Sequence, residues 1–179
     1  MNDSTIVGCT GDYADFQWLR EVIEQKQIDE EVSGHGDCET TKPSALYHWL
    51  TRFLYNRRSK FDPLWTTVVV GGIQDGAPFL GCVNYIGVAY QENAISTGLG
   101  QEIAVPIMRN LLEKKDPSEV TLEEAKEAIR TCVRTLFYRD CRSTSRFQMA
   151  VVSADGAAVE KPTVIDSNWE IANFNLGYE

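Results

Sequence analysis

The pattern of apolar and polar positions predicts strands alternating with pairs of helices. The first strand is predicted at residues 4–7 (STIV), because β-branched side chains favour extended backbone. Apolar residues recur three and four positions apart in four segments, which predicts helices at 13–32, 43–58, 101–114 and from 121 onward. Short apolar runs bounded by turn residues predict further strands at 65–73, 79–85, 88–96, 147–152 and 157–160.

Residues 8–15 (GCTGDYAD) predict a turn between the first strand and the first helix. Gly11 permits a sharp reversal of the backbone. Asp12 is a helix-capping residue, and Asp15 follows in the first helical turn, where a carboxylate is favourable. The chain therefore passes from strand to helix within a few residues.

Other local signals mark the remaining helices. Pro43 suits the first turn of the second helix. Pro106 lies inside the third helix and predicts a distorted start. Thr121 and Glu124 have the spacing of a capping box, which predicts where the fourth helix begins.

Two Asp-Gly pairs, Asp75-Gly76 and Asp155-Gly156, predict hairpins between neighbouring strands. Hairpins produce antiparallel sheets, and the helices come in consecutive pairs rather than one per strand. This order argues against a parallel sheet in which strand and helix alternate. We expect an α+β chain with two sheets face to face and a helix pair outside each.

Composition narrows the class of protein. The chain has 179 residues, of which 43% are hydrophobic and 24% are charged, as expected for one globular domain. The net charge of −9 argues against nucleic acid as a partner, since phosphate binding needs a basic surface. No apolar run reaches the roughly 20 residues that span a bilayer, and the first residues lack the features of a signal peptide. We expect the protein to be located in the cytoplasm and nucleus.

The cysteines and histidines do not have the spacing of a metal site. Five cysteines stand at positions 9, 38, 82, 132 and 141 without a Cys-x-x-Cys pair, and the two histidines are His35 and His48. We expect reduced, structural thiols. No cofactor and no metal is predicted.

Two motifs resemble those of 20S proteasome beta subunits. The turn at 8–15 resembles their Gly-x-x-Ala-Asp turn, and 138–143 (YRDCRS) resembles their Arg-Asp segment after the last long helix. One member is closer still: the catalytically silent subunit at the seventh position of the eukaryotic beta ring. That similarity runs from about residue 2 to the C-terminus and is carried by 55–60 (YNRRSK), 63–65 (PLW), 80–81 (LG), 86–90 (IGVAY) and 168–172 (NWEIA).

The resemblance implies an αββα four-layer sandwich of the N-terminal nucleophile hydrolase class. It further implies that the first strands of the fold are missing from this chain, which is expected to form one domain over 1–179. Residues 162–179 are expected to be an extended C-terminal tail.

Active members of the family use an N-terminal threonine as nucleophile and its own amine as base. Gly11 matches the glycine whose backbone N–H stabilises the oxyanion. Asp140 and Ser143 match the two residues that support the threonine. Leu99 stands where active members carry a serine, and Thr5 is predicted inside a strand. Because the family's nucleophile segment lies upstream of residue 4, the resemblance implies a non-catalytic chain.

Each of these positions also has a structural interpretation. Gly11 and Gly98 are expected to form turns. Asp140 is expected to fix its loop, with ion pairs to Arg139 and Arg142. A cation held by backbone oxygens near Asp140 and Ser143 is the weaker alternative that the resemblance leaves.

The resemblance implies a structural subunit of the 20S core particle, in contact with neighbouring beta and alpha subunits. In the tail, Trp169, Phe174 and Tyr178 are candidate interface residues, since large aromatic side chains anchor interfaces well. The alternative for the tail is packing on its own domain. Two other interpretations stay open. The first is a threonine-type peptidase of the same fold. The second is the product of a shortened gene model or splice form, which does not join the ring and is marginally stable or insoluble alone.

Overall fold

A computed structural model describes residues 4–33 and 42–170 of the chain, which combine α-helices with antiparallel β-strands. The helices of the described ranges are α1 (Tyr13–Val32), α2 (Pro43–Ser59), α3 (Gly100–Lys114) and α4 (Leu122–Arg139), with a turn of 3-10 helix at Pro117–Glu119. The strands are β1 (Thr5–Gly11), β2 (Thr66–Gln74), β3 (Ala77–Val83), β4 (Ala89–Gln91), β5 (Arg146–Phe147), β6 (Ala150–Ser153), β7 (Gly156–Val159) and β8 (Thr163–Val164). This mixture agrees with the predicted α+β class.

The chain divides into two compact units. The first contains Met1–Gly98 and Ala150–Val159, and the second contains Leu99–Met149 and Glu160–Glu179. The single domain predicted over 1–179 stays a prediction.

The first unit is built on an antiparallel sheet with the strand order β1-β2-β3-β4. β1 pairs with β2 along its whole length, from Thr5 opposite Gly72 to Gly11 opposite Thr66. The predicted hairpin between β2 and β3 is confirmed: Asp75 and Gly76 form its turn, with φ angles of 52° and 78°. Positive φ at both turn residues suits the twist of a two-residue hairpin.

The core of the first unit lies where α1 and α2 pack on this sheet. Alternate residues of β2 face inward, so Val68 and Val70 are fully buried. Leu50 and Leu54 of α2 meet them, and α1 adds Leu19 and Ile23 to the same cluster. The predicted apolar stripes of both helices therefore form the core. Burying each such side chain stabilises the fold by roughly 1.5–3 kcal/mol.

Three glycines bring the backbone directly against α2. A Cβ atom at Gly72 would lie 2.6 Å from Cγ of Pro43, and one at Gly81 would lie 2.6 Å from Cδ2 of Tyr47. A Cβ at Gly87, beyond the end of β3, would lie 2.6 Å from Cβ of Tyr55. Real Cβ atoms do not approach that closely, so α2 has its position only because these three residues lack side chains.

A second hairpin completes the first unit. β6 and β7 form the predicted hairpin, but Ser153 lies opposite Gly156, so the turn residues are Ala154 and Asp155 and the predicted Asp155-Gly156 turn was wrong by one residue. β6 also contacts β1 and β2. The hairpin thus supplies a second sheet layer against the first.

The second unit contains α3 packed against α4. The buried residues of these two helices are Gly100, Ala104 and Cys132, and the Cys132 thiol lies 3.5 Å from the Ala104 carbonyl oxygen. The capping box is confirmed, because the Thr121 hydroxyl accepts from the Glu124 N–H and the Glu124 carboxylate accepts from the Thr121 N–H. α3 continues through Pro106 without interruption, so the proline does not end the helix.

Several predicted strand boundaries were wrong. β1 continues to Gly11, because pairing with β2 outweighs the weak strand preference of glycine. The strand predicted at 88–96 is confined to Ala89–Gln91, opposite Gly81–Val83 at the end of β3. The strand predicted at 147–152 is two strands, β5 and β6. β5 pairs with β8, which lies within the predicted tail.

The capping box generates a prediction about pH. Lys115 lies 2.8 Å from both Glu124 oxygens, and with the Thr121 donors it lowers the pKa of Glu124 from 4.5 to about 2. A carboxylate whose pKa is lowered by folding stabilises the fold above its unfolded pKa and loses that contribution as the pH falls through the folded value. We therefore expect Glu124→Gln to reduce the free energy of unfolding at pH 7 and to flatten its decline between pH 4.5 and 2.

Equilibrium urea unfolding at several pH values measures this effect. Glu123→Gln is the control, because it removes a carboxylate from the same helical turn without touching either capping hydrogen bond. Identical pH profiles for the two variants would contradict the assignment.

Candidate functional site

The turn between β1 and α1 is held by Trp65, which immediately precedes β2. The N–H of Asp12 donates to the Trp65 carbonyl at 2.8 Å, and the N–H of Trp65 donates to the Asp15 carboxylate at 2.9 Å. Asp12 caps α1 as predicted, since its carboxylate accepts from the Asp15 N–H at 3.0 Å. The first turn of the helix is therefore tied to the residue that starts the neighbouring strand.

Gly11 has a structural reason to be glycine. Its φ is 116°, and a Cβ atom there would lie 2.0 Å from the Trp65 carbonyl oxygen. Any side chain would push away the carbonyl that accepts from Asp12. The turn-forming interpretation of Gly11 therefore has a direct cause, whether or not its N–H ever faces an oxyanion.

The second glycine turn leads into α3. Gly98 has a φ of 60°, and a Cβ atom there would meet no atom within 4 Å. Leu99 is the N-cap residue of α3 and makes no side-chain capping hydrogen bond. An aliphatic side chain supplies no hydrogen-bonding group where active relatives of the resembled family carry a hydroxyl.

Asp140 and Ser143 lie together in the loop after α4. The Asp140 carboxylate accepts from the Arg142 N–H at 2.9 Å, and the Asp140 carbonyl accepts from the Ser143 N–H at 3.0 Å. Asp140 therefore fixes its loop, but it does so through backbone groups. The expected ion pairs to Arg139 and Arg142 were wrong, since neither occurs among the described residues.

The candidate site residues are divided between the two units. Asp140 and Ser143 share one loop of the second unit, whereas Gly11 belongs to the first. Thr5 lies inside β1 as predicted, and its hydroxyl is buried without a hydrogen-bond partner. Thr5 is therefore not placed as an exposed nucleophile. The assignment of Gly11, Asp140 and Ser143 as remnants of a catalytic site stays a prediction.

Of the candidate interface residues, Trp169 lies within the described ranges. Its ring centroid is 5.7 Å from that of Phe137 and 4.9 Å from that of Tyr138, both in edge-on geometry. The Tyr138 hydroxyl also bonds both backbone groups of Asn168. Trp169 thus packs on α4 while half of its surface stays exposed. Phe174 and Tyr178 lie outside the described residues.

The thiols are free and mostly shielded in the described ranges. Cys9, Cys82, Cys132 and Cys141 form no disulfide, as predicted. Burial raises the pKa of the Cys9 thiol to about 11 and also raises the pKa values of Cys82 and Cys132. A thiol with a raised pKa is a poor nucleophile at neutral pH. Cys38 lies outside the described residues.

His48 packs beside Tyr47, with ring centroids 5.1 Å apart, and His35 lies outside the described residues. Within 4–33 and 42–170, no three His, Cys, Asp or Glu side chains come together in a group suited to a metal ion. In the same ranges, no helix is long and apolar enough to cross a bilayer.

A surface that the sequence did not reveal lies on the first unit. Tyr55, Trp65, Tyr85, Ile86 and Val88, here called the aromatic patch, are all exposed apolar side chains. Rings of Trp65 and Tyr85 approach to 5.1 Å between centroids. The sequence signal was the short NYIGV segment at 84–88, in which a turn-forming Asn and Gly are mixed with large apolar residues.

Comparison with known proteins relates this chain to proteasome subunits. The family model described as "Proteasome subunit" matches residues 1–152. "Proteasome subunit beta type-4" of Xenopus laevis is 46% identical over 179 residues, covering 100% of this chain and 72% of the relative. The proteins of the same name from Drosophila melanogaster and Arabidopsis thaliana are 38% and 30% identical, with 99% and 96% of this chain and 65% and 67% of those relatives covered.

The Gly11 turn generates a prediction about stability. Gly11→Ala combines a positive φ with a close contact to the Trp65 carbonyl. We expect it to lower the free energy of unfolding by about 1–3 kcal/mol, the usual cost of a strained residue. Gly8→Ala is the matched control, since a Cβ there meets nothing within 4 Å. Urea unfolding of both variants measures the difference, and equal losses would show that the contact with Trp65 is unimportant.

Proposed function

The chain belongs to the proteasome subunit family, and on that premise we propose that it is a non-catalytic structural subunit in the beta ring of the 20S core particle. The observation that carries the proposal is the similarity to subunits named beta type-4 along the full length of this chain. The particle would degrade ubiquitin-tagged proteins in the cytoplasm and nucleus, and this chain would contribute to its assembly.

The geometry of the candidate site supports a structural role. Gly11 is needed to form a turn, and Asp140 is engaged by the backbone of its own loop. Leu99 offers no hydrogen-bonding group at the start of α3. Gly11 and Asp140, which match catalytic positions of the family, therefore each have a structural explanation in this chain.

The proposed partners are the neighbouring alpha and beta subunits of a stacked hetero-oligomeric ring complex. Exposed apolar side chains on a folded unit are typical of surfaces that another protein covers. Trp169 leaves half of its surface free after packing on α4, so the tail can serve both its own unit and a neighbour. No nucleic acid and no membrane is proposed as a partner.

Co-purification tests the proposed function. We expect an affinity-tagged form of this chain, expressed in cells, to migrate with intact core particles on native gels and to bring down alpha and beta subunits identified by mass spectrometry. Leu50→Asp is the control for a fold requirement, because it places a charge in the fully buried core and should prevent incorporation. A tagged wild-type chain that never enters particles would contradict the proposal.

The same preparation tests the alternative, a threonine-type peptidase subunit. An electrophilic inhibitor that reacts with N-terminal threonine should label other subunits of the purified particle and leave this chain unlabelled. A covalent adduct on a threonine at the processed N-terminus of this chain would replace the structural role by a catalytic one.

A further inference from the structure

The aromatic patch is one continuous surface of the first unit. Trp65 and Tyr85 are in ring contact, and the backbone at Gly87 lies against the Cβ and Cα atoms of Tyr55. Ile86 and Val88 flank Gly87 on either side. The exposed fractions of the five side chains lie between 36% for Ile86 and 60% for Trp65. Such a cluster of exposed large apolar residues marks a surface used for binding.

The loop that carries most of the patch is held rigid by one asparagine. The Asn84 side-chain oxygen accepts from the N–H groups of Ile86 and Val88, at 3.1 and 2.9 Å. The Asn84 carbonyl accepts from the Gly87 N–H, and the Asn84 N–H donates to the Val88 carbonyl, both at 3.0 Å. These four bonds close the loop on itself. A loop already ordered before association loses little entropy on binding.

Positive charge lies beside the patch, at the C-terminal end of α2. The Arg58 guanidinium lies 5.7 Å from the Tyr55 ring centroid, and Lys60 follows at the end of the helix. Arg57 pairs with Asp62 at 3.0 Å, whereas Arg58 and Lys60 form no ion pair with any described residue. Unpaired basic residues beside an apolar surface favour a partner that brings carboxylates.

We propose that the aromatic patch is an interface for a neighbouring proteasome subunit, which covers it with an apolar segment flanked by Asp or Glu. This rests on the proposed function. A second copy of this chain fits less well, because a symmetric contact between two copies would bring Arg58 and Lys60 toward the same residues of the partner. In the complex, the partner buries the side chains of the patch, and the basic end of α2 selects the partner by charge.

Incorporation of a charge variant tests the proposal. Val88→Asp places a carboxylate in the patch, opposite the expected acidic partner, and keeps the backbone bonds of the loop. We expect the share of tagged chain that enters core particles to fall at least about tenfold. Val159→Asp is the matched control, since Val159 is an exposed valine of the same unit outside the patch, and it should incorporate like the wild type. Unchanged incorporation of Val88→Asp, or equal losses in both variants, would overturn the proposal.

Cross-linking identifies the occupant without relying on a disruptive variant. p-Benzoylphenylalanine at Tyr85, in otherwise unaltered particles, should cross-link to another proteasome subunit at a peptide that contains Asp or Glu. A cross-link to a second copy of this chain, or to a peptide without carboxylates, would overturn the proposal. Failure of the proposed function would differ from both outcomes, because the unaltered chain itself would then be absent from particles.

Discussion

The position of α2 against bare backbone is the constraint on which the first unit depends. Gly72, Gly81 and Gly87 contact Pro43, Tyr47 and Tyr55 in turn, so the helix meets the sheet and its neighbouring loop along most of its length. This close approach places Leu50 and Leu54 over Val68 and Val70, which form the buried centre. Because interiors are packed as densely as crystals, one added Cβ would displace the helix rather than be absorbed.

The position of α2 also determines the geometry of the aromatic patch. Gly87 fixes the loop at 84–88 on Tyr55, while Asn84 closes that loop with hydrogen bonds. Trp65, which holds the start of α1 through its backbone, contributes its ring to the same surface. Backbone groups and the Asn84 side chain thus maintain the loop, and the side chains of the aromatic patch remain exposed for contact with other proteins. An ordered loop with exposed apolar side chains suits a subunit whose proposed role is assembly.

Local signals could be read from the sequence, and long-range contacts could not. Pro43, Asp75-Gly76 and the Thr121–Glu124 box act within a few residues, so their elements were predicted correctly. The extent of β1, the pairing of β5 with β8 and the three glycine contacts join residues far apart in sequence. At the candidate site, Asp12 was correctly predicted as the cap of α1, whereas Gly11 is the last paired residue of β1. The aromatic patch was missed because β3, α2 and the residue before β2 must first fold together.

The most direct test of a structural rather than catalytic role is peptidase activity per particle. Core particles assembled with an Asp140→Asn, Ser143→Ala double variant keep the acceptor for the Arg142 N–H, since an Asn side-chain oxygen replaces the carboxylate oxygen. The account predicts that hydrolysis of each class of peptide substrate, normalised to the number of particles, equals that of the wild type. A selective loss of one peptidase activity at an unchanged particle count would contradict it.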